Sequence, residues 1–109
     1  AMHLVFKALS DPTRRRVLQL LHAGPRSAGE LAEKFEVSKP TMSAHFAVLV
    51  EAGLIEAQKQ GRTIFYRLKL SVLEDALLSF AQTVGLNSPA RRRARRPLTL
   101  PTRPRWFRP

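Results

Sequence analysis

The stretch from Ser38 to Gly53, SKPTMSAHFAVLVEAG, holds the side chains whose types and spacing could do recognition chemistry. Thr41, Ser43 and His45 supply hydroxyl and imidazole groups able to hydrogen-bond base edges or phosphates. Between them Pro40, Ala44 and Ala47 recur at helical spacing and offer little beyond methyl and methylene groups. A surface helix ordinarily covers its outer face with long charged side chains. A face reduced to Pro40, Ala44 and Ala47 lets another molecule come close to the helix backbone, and its methyl groups can pack on thymine methyls. At about 100° per residue, Met42, Phe46, Leu49 and Val50 share the opposite side and are predicted to face a core. Ser38 caps the helix and Lys39 stands beside its N-terminus, an arrangement suited to a phosphate. His45 has two readings at this point: a hydrogen bond to DNA, or a half-buried brace for the helix.

These residues need elements to hold them. Ser10-Asp11-Pro12 is a helix-start signal, a capping side chain followed by proline in the first turn. The helix it opens turns Val17, Leu18, Leu20 and Leu21 inward and ends near Gly24-Pro25. Arg14, Arg15 and Arg16 in its first half form either a solvated face or a source of one phosphate contact. Ser27-Ala28-Gly29-Glu30 is a capping box, which predicts a short helix to Phe35 with Leu31, Ala32 and Phe35 inward. Glu36-Val37 makes a tight turn before Ser38, and Gly53 closes the helix that follows. From Leu54 the pattern becomes β-rich: LIEAQK and RTIFYRL flank Gln60-Gly61 and predict a hairpin. Ser71-Val72-Leu73-Glu74 reads as a second capping box. It opens a last helix with Leu73, Leu77, Phe80 and Val84 at helical spacing, closed by Gly85.

The order of short helix, tight turn, longer helix and hairpin predicts a winged helix-turn-helix. The fold class is mainly α with a small β-hairpin: roughly five helices plus a two-stranded wing. In such a pair the second helix enters the major groove, and Arg62 at the hairpin tip is placed to meet phosphate. The last helix also carries Val72, Ala76 and Ala81, more apolar surface than one small domain covers. That excess predicts a dimer seam with the short amphipathic stretch Met2 to Leu9, whose Leu4, Val5, Phe6 and Leu9 are apolar.

Residues 1–85 carry eleven Lys or Arg against eight Asp or Glu, whereas residues 86–109 carry eight arginines and no acid. The net charge of +11 is therefore mostly a property of the end of the chain, and it implies a polyanionic partner. Residues 1–85 are read as the DNA-binding and dimerisation domain, and residues 86–109 as an arginine- and proline-rich basic tail. Three readings of the tail stand: an arm on DNA, a segment anchored on the partner subunit by Trp106 and Phe107, or a disordered end. Cysteine is absent, which excludes disulfides, thiolate metal ligands and thiol redox sensing. No apolar run is long enough to insert in a membrane, and with no export signal the expected location is cytoplasmic. The sequence has no glycine-rich phosphate loop, histidine pair at ligand spacing or convergent carboxylate pair, so an enzyme is not expected.

LSDPTRRRVLQLL and SAGELAEKFEVSKPTMSAHFAVLVEAGLIEAQKQGRTIFYRL together resemble the ArsR/SmtB-type bacterial repressors, and most of all their metal-free, SdpR-like autorepressor branch. The resemblance implies a homodimeric transcriptional repressor on an inverted-repeat operator in double-stranded DNA. Base contacts would come from Ser38, Lys39, Pro40, Thr41, Ser43, Ala44 and His45, and backbone or minor-groove contacts from the wing at Lys59, Arg62 and Thr63. Leu4, Phe6, Leu73, Leu77, Phe80 and Val84 would form the dimer interface. Many relatives carry arginine or lysine where Ala44 and Ala47 stand, so base readout here leans on Thr41, Ser43, His45 and shape. The cysteine motif of metal-sensing members is missing from ELAEKF, and Glu74 and Asp75 on the last helix have no histidine beside them. No cofactor or regulatory metal is therefore expected. Relief of repression by a sequestering protein partner or by the repressor's own concentration both fit that branch. The competing reading is a winged-helix module that docks on protein, with weak or secondary DNA binding.

Overall fold

The computed structural model describes residues 2–86. In chain order the elements are α1 (Met2–Leu9), α2 (Pro12–His22), β1 (Arg26–Ser27), α3 (Ala28–Ala32), α4 (Lys39–Glu51), β2 (Ile55–Gln60), β3 (Thr63–Leu68) and α5 (Leu70–Thr83). The winged helix-turn-helix and its five helices are as expected. The sheet goes further than a two-stranded wing: β1 pairs antiparallel with β3, giving the order β1-β3-β2.

Local side-chain chemistry sets most helix starts. The Asp11 carboxylate accepts from the Arg14 N–H at 3.1 Å and caps α2, with Pro12 in the first turn. Ser27 and Glu30 form the reciprocal capping box of α3. Ser38 caps α4 by accepting from the Thr41 N–H at 3.3 Å. At the other end of α4, Gly53 takes φ +79°, and the Gly53 and Leu54 N–H groups reach back to the Val50 and Leu49 carbonyls. This is a Schellman closure, which needs the left-handed conformation that glycine adopts freely.

Three local expectations are corrected. α3 stops at Ala32 rather than Phe35, because the chain turns at Glu33; Phe35 still packs half-buried against the core. The Ser71–Glu74 capping box does not form: α5 begins one residue before Ser71, at Leu70, and the Lys69 carbonyl takes the Val72 N–H. The hairpin turn is Gly61-Arg62, since Gln60 still pairs with Thr63. Of these two turn residues only Gly61 has positive φ, +64°, as a type II′ turn requires at its first central position.

The core of the first compact unit, which runs to Ala76, draws on every helix of that unit. Val5 and Ala8 come from α1, Val17, Leu18 and Leu21 from α2, Leu31 from α3, and Met42, Phe46 and Leu49 from α4. Leu54, Ile55 and Tyr66 close it from the sheet side, and Ala76 from the first half of α5. Val50, expected inside, is 41% exposed. It lies about 100° round the helix from Leu49, past the edge of the buried stripe. Residues 77–86, taken by themselves, finish α5 in a second Schellman closure, with Gly85 at φ +82° and the Leu86 N–H on the Ala81 carbonyl.

Candidate nucleic-acid interface

α4 buries one side and exposes the other. Met42, Phe46 and Leu49 are 1%, 5% and 0% exposed, while Ser38, Lys39, Pro40, Thr41, Ser43, Ala44 and Ala47 are all exposed. The sparse face is therefore solvent-facing. Ser38 is spent on the structure: its oxygen accepts from the Thr41 N–H and its hydroxyl donates to the Thr41 Oγ1 at 2.9 Å. The Thr41 hydroxyl, already an acceptor, keeps its own proton for an outside acceptor. The Ser43 hydroxyl is exposed and makes no hydrogen bond among the described residues.

His45 stands apart from the other expected contacts. Its ring is half-buried, with Nδ1 3.1 Å from Arg14 Nη1 and Nε2 4.0 Å from an Asp11 carboxylate oxygen. Of its two sequence readings, the bracing contacts are the ones present. Burial tends to raise the Asp11 pKa, but the N–H groups of Arg14 and Thr13 and the nearby His45 and Arg14 outweigh it, so the carboxyl lies below its ordinary value.

The hairpin carries Lys59, Arg62 and Thr63 exposed at its tip. Behind the tip, Glu56 and Arg67 face each other across β2 and β3 and pair, with Lys69 3.8 Å from Glu56. Hydrogen bonding and attraction from Arg67, then Lys69, hold the Glu56 carboxyl below its usual range. The arginine run in α2 is divided, with Arg14 half-buried and Arg15 and Arg16 exposed. Arg14 turns inward, Arg15 donates to the Leu9 carbonyl at 2.7 Å, and Arg16 donates to Gln19. Sequence reasoning did not assign the Asp11–Arg14–His45 cluster. Its one legible sign was Asp11 as a cap.

Of the expected dimer residues, Leu4 and Leu73 are half-buried and pack on the core, and Phe6 is half-buried. Leu77, Phe80 and Val84 are 47%, 45% and 47% exposed. The basic tail with Trp106 and Phe107 lies outside the described residues. Among the described residues no helix is long and apolar enough to cross a membrane, and no group of three or more His, Asp or Glu could hold a metal ion.

Residues 9–58 match a helix-turn-helix domain family. The chain is 46% identical over 76 residues to the transcriptional repressor SdpR of Bacillus subtilis, a span of 70% of this chain and 84% of that one. The chain belongs to the ArsR family of transcriptional repressors. Solved structures agree with this. An ArsR family transcriptional regulator, RHA00566, superposes with a TM-score of 0.71 at 33% identity over 77% of this chain and 92% of its own. An ArsR-like transcriptional regulator from Rhodococcus sp. RHA1 gives 0.70 at 31% identity over 93% and 94%. The relatives of this ArsR-family repressor are transcriptional regulators, not enzymes, and its helix-turn-helix is a DNA-binding one.

Proposed function

We propose that this ArsR-family repressor acts as a homodimer on an inverted-repeat operator, represses its own gene and needs no regulatory metal. The observation that carries the reading is the exposed, side-chain-poor face of α4. Pro40, Ala44 and Ala47 stand in solvent while Met42, Phe46 and Leu49 anchor the helix from behind. A helix so decorated can sit deep in the major groove, where Thr41 and Ser43 reach base edges and Lys39 a phosphate. Lys59, Arg62 and Thr63 on the wing reach the neighbouring backbone or minor groove. The α5 face of Leu77, Phe80 and Val84, with Leu4, Phe6 and Leu73, joins the two subunits. Two-fold symmetry of the protein then demands two half-sites about one helical turn, 34–36 Å, apart. Cytoplasmic location and relief by a sequestering protein or by dilution complete the proposal.

Footprinting on the DNA upstream of its own gene tests it. A protected, symmetric pair of half-sites supports operator, dimer and autoregulation together. Protection of one unpaired half-site overturns the dimer and the inverted repeat. No protection at any protein concentration, with no retention on bulk DNA at low salt, discards the reading in favour of a protein-docking module.

A further inference from the structure

Arg14, on α2, hydrogen-bonds to both α1 and α4. Its Nε donates to the Ala8 carbonyl at 2.8 Å and its Nη2 to the Lys7 carbonyl at 3.0 Å. Both carbonyls belong to the last turn of α1, where helical partners run out; the Lys7 carbonyl also accepts from the Ser10 N–H and hydroxyl. Its Nη1 meets Nδ1 of His45, on α4, at 3.1 Å. A guanidinium has donors only and stays charged, so Nδ1 must be the acceptor. The proton of the neutral ring then sits on Nε2, on the side of the Asp11 carboxylate. Asp11 and Arg14 are the charged groups paired with the imidazole among the described residues, Arg14 on α2 and Asp11 at its N-cap; α1 contributes backbone carbonyls.

The ring is rigid and lies next to Ala44 along α4, about 60° round the helix from Met42. Holding it at one edge of the buried stripe fixes the rotation of α4 about its axis. That rotation decides which of Thr41, Ser43 and Ala44 meet the bases. We infer that Arg14 is a positioning residue for DNA reading: through His45 it sets the angle of α4 against α1 and α2, without touching DNA. The inference rests on the reading of α4 as the groove-entering helix. It makes a separable claim, because attraction to phosphates does not depend on helix rotation and base readout does.

Lysine cannot replace Arg14, since a single ammonium lacks the planar fork that reaches all three acceptors. Asparagine can replace His45, since its amide oxygen stands where Nδ1 does. The test uses the full chain, a duplex enriched by the wild-type protein from a random-sequence pool, and an unselected random duplex of equal length. H45A and R14K are expected to weaken binding to the enriched duplex roughly tenfold or more, with random-duplex affinity within about twofold of wild type. H45N is expected to restore the enriched-duplex affinity, and the R14K/H45A double variant to be no weaker than the poorer single one. Melting curves on each protein confirm that it is folded; should H45A not fold, H45Q, whose amide lies one bond too far out, takes its place. Equal losses on both duplexes, or a folded H45N as weak as H45A, overturn the positioning role while leaving DNA recognition intact. A wild-type protein that enriches no duplex overturns the DNA reading itself, and this inference with it.

Discussion

The ring of Phe46 lies 4.7 Å from that of Tyr66, tilted by 34°. Phe46 is the central anchor of α4, and Tyr66 is the residue of β3 that pairs with Arg26 on one side and Ala57 on the other. One aromatic contact thus ties the exposed helix to the middle of the sheet whose hairpin forms the wing. The two parts that would touch DNA share this anchor, so their spacing is a property of the core.

Removing that anchor should be costly. Phe46→Ala deletes a side chain 5% exposed and leaves a cavity against Tyr66, for an expected loss of about 3–5 kcal/mol of folding stability. Phe46→Leu should lose roughly a third of that. Urea unfolding followed by circular dichroism measures both. A Phe46→Ala protein within about 1 kcal/mol of wild type would contradict the packing account.

The start of α2 should show up in acid. Asp11 titrates below its ordinary value, so its stabilising effect is present above the unfolded carboxylate's pKa and is lost as pH falls through the lower folded value. Asp11→Ala is expected to destabilise by about 1 kcal/mol at neutral pH through loss of the cap. The gap between variant and wild type should close once pH drops below the carboxylate range. Denaturation midpoints across a pH series give the answer, and a gap that widens toward acid would reverse the assigned sign.

The wing and the tail make a joint electrostatic prediction. If Lys59 and Arg62 each neutralise one phosphate, each alanine variant should lower the slope of log affinity against log salt by about 0.9 and weaken all sequences alike. Deleting residues 90–109 should flatten the slope further if the arginines there track DNA. A slope unchanged by Arg62→Ala would remove the wing from the interface, and one unchanged by the deletion would remove the tail.

The dimer seam is tested on its own terms. Leu77 is exposed in the single chain, so Leu77→Glu should leave the melting of a monomer untouched yet shift sedimentation from dimer to monomer. Wild-type protein that sediments as a monomer at the highest soluble concentration would contradict the proposed homodimer.

The sequence revealed contacts that close within a few residues and hid those that close across the fold. The caps at Asp11, Ser27 and Ser38 were legible because each side chain meets a backbone N–H three residues on. Ser71 shows the limit of that logic: Ser-x-x-Glu was present, but the chain entered the helix one residue earlier and left the serine inside it. β1 was invisible because its two residues carry no pattern and exist as a strand only through pairing with Phe65 and Tyr66. In the candidate site, the exposure of Pro40, Ala44 and Ala47 followed from helical spacing alone. The inward turn of His45 did not, since its partners Arg14 and Asp11 belong to α2 and its N-cap, 31 residues away in the case of Arg14. Val50 failed for a geometric reason: a stripe of three buried residues tells little about a fourth at its edge.

The most direct measurement is the affinity of Ala44→Leu for the duplex enriched by the wild-type protein. Position 44 is exposed and helical, so the substitution should leave folding stability within about 0.5 kcal/mol of wild type. If the sparse face of α4 lies against the bases, the added bulk should weaken binding at least about tenfold. A stable Ala44→Leu protein that binds that duplex as tightly as the wild type would contradict the account.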